Sequence, residues 1–192
     1  MRAPDVWLVV VAAAVIVEGI VLVGIMRLVG LLYRRLPPVG APVADLGPDI
    51  GTEARPFEGS DLDGVPTEVV QRAAAQSLLL VYMSPRCDAC SEVAPALSTI
   101  RKYENARVVI AATKGAKSEW SAFVDKEGLN AFPIVTAESL PEAWRISASP
   151  FAILIAARGV IAAKGYVNRL EHLESLFEYA EQDVAASSQM KA

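Results

Sequence analysis

Two cysteines three residues apart are the groups in this 192-residue chain best suited to chemistry. Cys87 and Cys90 bracket Asp88 and Ala89, and the chain has no other cysteine. Two cysteines scattered at random over this length would fall at that spacing in about one case in a hundred. At the start of a helix, side chains three apart lie on one side, close enough for their sulfurs to bond. A helix N-terminus also leaves N–H groups unpaired and carries the positive end of the dipole, which favours thiolate over thiol. The pattern predicts a redox-active disulfide. Cys87, at the exposed edge, would attack. Cys90, one turn deeper, would release the product by attacking Cys87 in the mixed disulfide. The flanking charges oppose one another: Arg86 would stabilise a thiolate at Cys87 and Asp88 would destabilise it, which leaves the redox poise open.

Other uses of the pair fit less well. A structural zinc site needs about four ligands, and two cysteines with one histidine, His172, supply too few without a second chain. No metal is therefore expected. Cysteines also occur as inert core residues, but such residues have no reason to sit three apart at a strand–helix junction. His172 falls on a C-terminal helical pattern and is expected to be a helix-face residue rather than a base. A second candidate element is Ser149-Pro150, directly before an apolar strand. Read locally, the proline is either a trans residue opening a strand or a cis residue. Paired with the cysteine motif it favours cis, with Ser149 and Pro150 lining the place where a peptide meets the thiols.

The elements that must position these groups follow from periodicity. Residues 78–83 form a continuous apolar run closed by Ser84-Pro85, as a buried central strand does. A helix is predicted from Cys87 to Tyr103, with Val93, Leu97 and Ile100 at helical spacing. A strand over 108–112 follows. A helix over 118–127 comes next, with Ser118 as N-cap and Gly128 past its end. A short strand spans 132–135. Residues 151–156 and 160–166 form a hairpin around Ala157-Arg158-Gly159. Leu170 to Ala185 form an amphipathic helix carrying Leu173, Leu176, Phe177 and Ala180 on one face. Upstream, Asp61-Leu62-Asp63-Gly64 is a turn between two short strands. Alternating strands and helices, then a hairpin, predict an α/β domain: a mixed sheet with a parallel core, flanked by helices.

The chain is 53% hydrophobic, and the excess lies at the N-terminus. From Val6 to Met26 the only charge is Glu18. That length fits a membrane-spanning helix. It exceeds the core of a cleaved signal, and arginines rather than a small-residue cleavage site follow it. Residues 1–35 are read as a transmembrane anchor with its flank, 36–49 as a Pro-rich linker, 50–186 as the folded domain and 187–192 as a frayed tail. The net charge is −4. The first 35 residues hold four arginines against two acids, so the rest of the chain is acidic, which excludes a nucleic-acid partner. The lipid bilayer is the expected partner of the anchor.

These pieces together resemble the thioredoxin superfamily: a Cys-x-x-Cys at a strand–helix junction and a proline before the late hairpin. Residues 50–57 and the turn at 61–64 are similar to the N-terminal hairpin of its membrane-tethered members. More narrowly, the chain resembles the MauD family of methylamine utilisation accessory proteins. The matching stretches are 30–35, 38–41, 84–87, 159–165, 167–168 and 171–177. The resemblance implies a thiol–disulfide oxidoreductase with Cys87 and Cys90 catalytic and no cofactor beyond their disulfide. It implies a protein client, the small (β) subunit of methylamine dehydrogenase, whose disulfides would be formed or isomerised, and a membrane or soluble redox partner. It places the redox domain in the periplasm. The positive-inside rule points the other way, because Arg27, Arg34 and Arg35 outweigh Arg2 and the amino terminus, but by only one or two charges, and the periplasm is the expected side. The competing functions are a peroxidase, which the paired cysteines disfavour, and a non-catalytic thioredoxin-fold chaperone or binding module for the same client.

Overall fold

The computed structural model describes residues 15–27, 46–70, 75–136 and 138–189. The chain divides into two compact units, Met1–Pro37 and Pro38–Ala192. In the first, residues 15–27 are helical (α1), with apolar side chains such as Ile20 and Met26 exposed. The rest of the expected span lies outside the described residues, as do residues 36–45 of the expected linker. Among the described residues no helix is long and apolar enough to cross a membrane.

The second unit is built on a mixed sheet. Its strands are β1 (Glu58–Ser60), β2 (Pro66–Glu68), β3 (Ser77–Met83), β4 (Ala106–Ala112), β5 (Ile134–Thr136), β6 (Phe151–Ile155) and β7 (Ile161–Tyr166). Among the described residues they run in the order β2-β1-β5-β4-β3-β6-β7. β3, β4 and β5 are parallel. β6 and β7 add antiparallel to one side, and β1 and β2 to the other. The helices are α2 (Asp88–Tyr103), α3 (Lys117–Glu127), α4 (Leu140–Ala143) and α5 (Leu170–Gln189).

β3 lies inside the sheet between β4 and β6, and its residues are apolar on both faces, so it must be covered on both. Leu79, Val81 and Met83 pack with Val93 and Leu97 of α2, Trp120 of α3 and Leu173 of α5. Leu78 and Leu80 pack on the other side with Leu140, Trp144 and Ile146. That second face carries only the short α4 among the described helices. Much of its cover is irregular chain, including Leu46, Ile50 and Phe57. Among the described residues, contacts of the folded unit already include Leu46, four residues before Ile50.

Two local expectations change in detail. Ser118 is not the N-cap of α3; that position is Ala116. Alanine has no side-chain acceptor. The Glu119 carboxylate takes over the role by accepting the Ala116 N–H at 3.3 Å, and the helix starts a residue earlier. At the other end Gly128 adopts φ +68°, the left-handed closure expected of it. The C-terminal helix runs to Gln189, past the expected end at Ala185. The Asp61–Gly64 turn forms as its residues dictate: Asp61 Oδ1 accepts the N–H groups of Asp63 and Val65 at 2.8 and 2.9 Å.

Candidate active site

The site lies where β3 hands the chain to α2. Ser84 and Pro85 end the strand, and Cys87 is the N-cap of the helix, extended at φ −112°, ψ 115°. Its carbonyl accepts the N–H of Cys90 at 3.0 Å and of Ser91 at 3.3 Å, which closes the first turn. That turn places the two thiols in different surroundings. Cys87 is half-buried, whereas Cys90 is wholly shielded, at 0% exposure. Both are free thiols.

Each sulfur has a backbone partner. The Cys87 thiol donates to the Ser149 carbonyl at 3.4 Å. The Cys90 sulfur accepts the Ser84 N–H at 3.4 Å. Burial pushes the Cys90 thiol up to about 12 from an ordinary 9.0. The neighbouring Cys87 thiol adds to that rise, and the Ser84 N–H opposes it. Cys90 therefore holds its proton at neutral pH, and the accessible sulfur is Cys87.

Ser149 and Pro150 arrive from the other side of the sheet. The Ser149–Pro150 bond is cis. Pro150 is buried, and its carbonyl accepts the Val167 N–H at 3.1 Å, which ties the loop to the end of β7. β6 then starts at Phe151, opposite Tyr82 of β3 and Tyr166 of β7. Residues 62 positions apart in sequence thus meet at the thiol of Cys87.

The structure brings four of the six sequence-derived residues, Cys87, Cys90, Ser149 and Pro150, into one place. The two flanking charges sit differently. Arg86 is exposed, and its guanidinium binds Glu119 of α3 at 2.7 Å. That bond holds the Glu119 carboxyl below the usual carboxylate range. Asp88 is exposed in the first turn of α2, where a carboxylate complements the helix N-terminus. Glu119 was not among the sequence candidates. Its place three residues into α3 is a capping signal, but nothing local announces its partner 33 residues away. His172 accepts the Asn168 N–H at 3.5 Å at the start of α5, which is a structural contact.

A central strand feeding a Cys-x-x-Cys helix, faced by the backbone before a buried proline, is the arrangement of a thioredoxin-like fold. Solved structures agree on the fold. The thioredoxin domain of a thiol-disulfide oxidoreductase from Bacteroides vulgatus superposes with a TM-score of 0.58 at 17% identity, covering 69% of this chain and 98% of that one. Sequence comparison is more specific. Methylamine utilization protein MauD of Paracoccus denitrificans is 36% identical over 160 residues, 83% of this chain and 80% of the relative. MauD of Paracoccus versutus is 34% identical over 173 residues, 90% of this chain and 87% of the relative. The chain belongs to the MauD family. No protein-family model matches it.

Proposed function

We propose that this chain is a membrane-tethered thiol–disulfide oxidoreductase that forms or isomerises disulfides in a protein client. The observation that carries the reading is the asymmetry of the pair: an accessible Cys87 at a helix N-terminus, 3.4 Å from the Ser149 carbonyl, and a buried Cys90 behind it. In the oxidising direction a client thiolate attacks Cys87 of the Cys87–Cys90 disulfide. That bond breaks, and Cys90 leaves with the electron pair and takes a proton. A second client thiolate then attacks the client sulfur of the mixed disulfide and releases Cys87. The client loses two electrons, the enzyme gains them, and a redox partner must accept them. In isomerisation the reduced Cys87 attacks a client disulfide and is displaced after rearrangement. Cys90 is the escape route, because its attack on Cys87 frees a trapped client. Ser149 and Pro150 supply the backbone against which the client lies.

The client is the small subunit of methylamine dehydrogenase, and the redox domain faces the periplasm from an anchor over residues 6–26. Support comes from family membership and from the apolar composition of that segment. Complementation of amine-dependent growth tests the function. The Cys87→Ser/Cys90→Ser double variant is expected to fail and to leave the client short of disulfides. Growth with normal client disulfides would instead favour a chaperone that uses no thiol. A fusion of alkaline phosphatase after Ala192 tests the placement: an active fusion is expected, and an inactive one overturns it.

A further inference from the structure

The chain that leads into the folded unit is clamped to the active-site strand at a single glycine. Gly47 has φ +82°, and a Cβ built on it would lie 2.8 Å from Cζ and 2.9 Å from Cε1 of Phe151. Phe151 is the residue after Pro150, and it is 1% exposed. Gly47 is held there from both sides of its peptide. Its N–H donates to the Arg145 carbonyl at 3.0 Å. Its carbonyl accepts from the buried Lys164 ammonium at 3.3 Å. Arg145 itself adopts φ 54°, a left-handed conformation unusual for a non-glycine residue. Its guanidinium also binds Asp49 at 2.6 Å. Downstream, Gly51 and Ala54 donate to carbonyls at either end of the β7 hairpin turn, Ile161 and Gly159, both at 2.8 Å.

The contacts continue toward the thiols. The Phe151 ring meets Tyr166 edge-on, with centroids 5.1 Å apart. The Tyr166 hydroxyl reaches Ser147 Oγ at 3.3 Å. Ser147 lies two residues before Ser149, whose carbonyl touches Cys87. A connected path therefore runs from Gly47, through two aromatic rings, to the loop that lines Cys87.

We propose that Gly47 is a positioning residue for the client-docking backbone: its bare Cα lets the Phe151 ring seat, and the seated ring fixes the Ser147–Pro150 loop beside Cys87. Residues 46–54, the first described residues of the folded unit, are then part of the active-site scaffold. The inference rests on the reading of Ser149–Pro150 as the surface that receives a client.

The test compares variants of the full chain in exchange with a short peptide closed by one disulfide and with 2-hydroxyethyl disulfide, which has no peptide backbone to lie along the loop. Gly51 is the control, because it shares the backbone of Gly47, at φ +83°, but its Cβ would meet nothing within 4 Å. Gly47→Ala is expected to slow the peptide reaction by about ten- to a hundredfold, the cost of a misplacement near 1 Å. It is expected to leave the 2-hydroxyethyl disulfide reaction near wild type. Gly51→Ala is expected to leave both rates unchanged. Phe151→Leu in an otherwise unchanged chain removes the ring instead of displacing it, and is expected to slow the peptide reaction to a degree similar to Gly47→Ala. Asp49→Asn, which loosens the clamp without adding atoms, is expected to give a smaller loss on the peptide alone, and it decides the matter if Gly47→Ala does not fold. Equal behaviour of Gly47→Ala and Gly51→Ala, equal losses on both substrates, or no effect of Asp49→Asn overturns the proposal. A wild-type protein inert toward both substrates would overturn the functional reading instead.

Discussion

The buried Cys90 thiol makes the reduced protein lose stability in alkali, and the loss can be worked out. Folding moves this group from 9.0 to about 12. Above pH 9 the unfolded chain gives up the Cys90 proton while the folded chain keeps it. The unfolded state then binds fewer protons, so stability falls as pH rises. Below pH 9 both states are protonated and the contribution is constant. At about 1.4 kcal/mol per pKa unit, raising the pH from 7 to 10 removes about 1.4 kcal/mol, and the loss continues to about pH 12. Urea denaturation of the reduced protein at pH 7 and pH 10, in wild type and in Cys90→Ala, compares two chains that share every titrating group except Cys90 and the surroundings of the adjacent Cys87 thiol. Wild type is expected to lose about 1.4 kcal/mol more than the variant between the two pH values. The oxidised protein has no thiol at this position and is expected to lack the extra loss. If reduced wild type and Cys90→Ala lose equal stability, Cys90 is not the shielded, proton-holding sulfur described above.

Three further outcomes follow from the packing. Leu97 of α2 is fully buried against β3, so Leu97→Ala is expected to cost about 2–5 kcal/mol in urea denaturation, with thiol exchange per folded molecule retained. Trp120 is shielded and donates Nε1–H to the Thr113 carbonyl at 3.1 Å. Trp120→Phe leaves that carbonyl unpaired and is expected to cost about 1–3 kcal/mol beyond the smaller ring, read from the same transitions. Gly128 closes α3 at φ +68° with nothing within 4 Å of an added Cβ. Gly128→Ala is expected to cost about 1–2 kcal/mol from the backbone alone, and Gly128→Asn less, because asparagine tolerates this conformation better.

The cysteine site was legible in the sequence because its parts are local. The apolar run ending at Ser84-Pro85, the spacing of Cys87 and Cys90, and the periodicity of Val93, Leu97 and Ile100 each declare a strand, a junction and a helix without reference to the rest of the chain. The hairpin around Gly159 is local in the same way. Ser149-Pro150 was found only because the cysteine motif gave the proline a meaning. Arg86 shows the limit. Its neighbour in sequence is Cys87, but its ionic partner is Glu119 on a different helix, a pairing set by the packing of α3 beside α2. α4 is too short to show a period, and Trp144 and Ile146 reach the core from irregular chain. Residues 46–54 were read in part as linker because Gly47, Pro48 and Gly51 lack any pattern. Their order comes from hydrogen bonds to Arg145, Gly159, Ile161 and Lys164, all about a hundred residues away.

The most direct test of the central claim is the intact mass of Cys90→Ser and Cys87→Ser after reaction with a disulfide-bonded peptide. Cys90→Ser should retain one stable mixed disulfide, mapped by digestion to Cys87, and Cys87→Ser should retain none. An adduct held by Cys87→Ser, or none held by Cys90→Ser, would contradict the assignment of Cys87 as the attacking sulfur and Cys90 as the one that releases it.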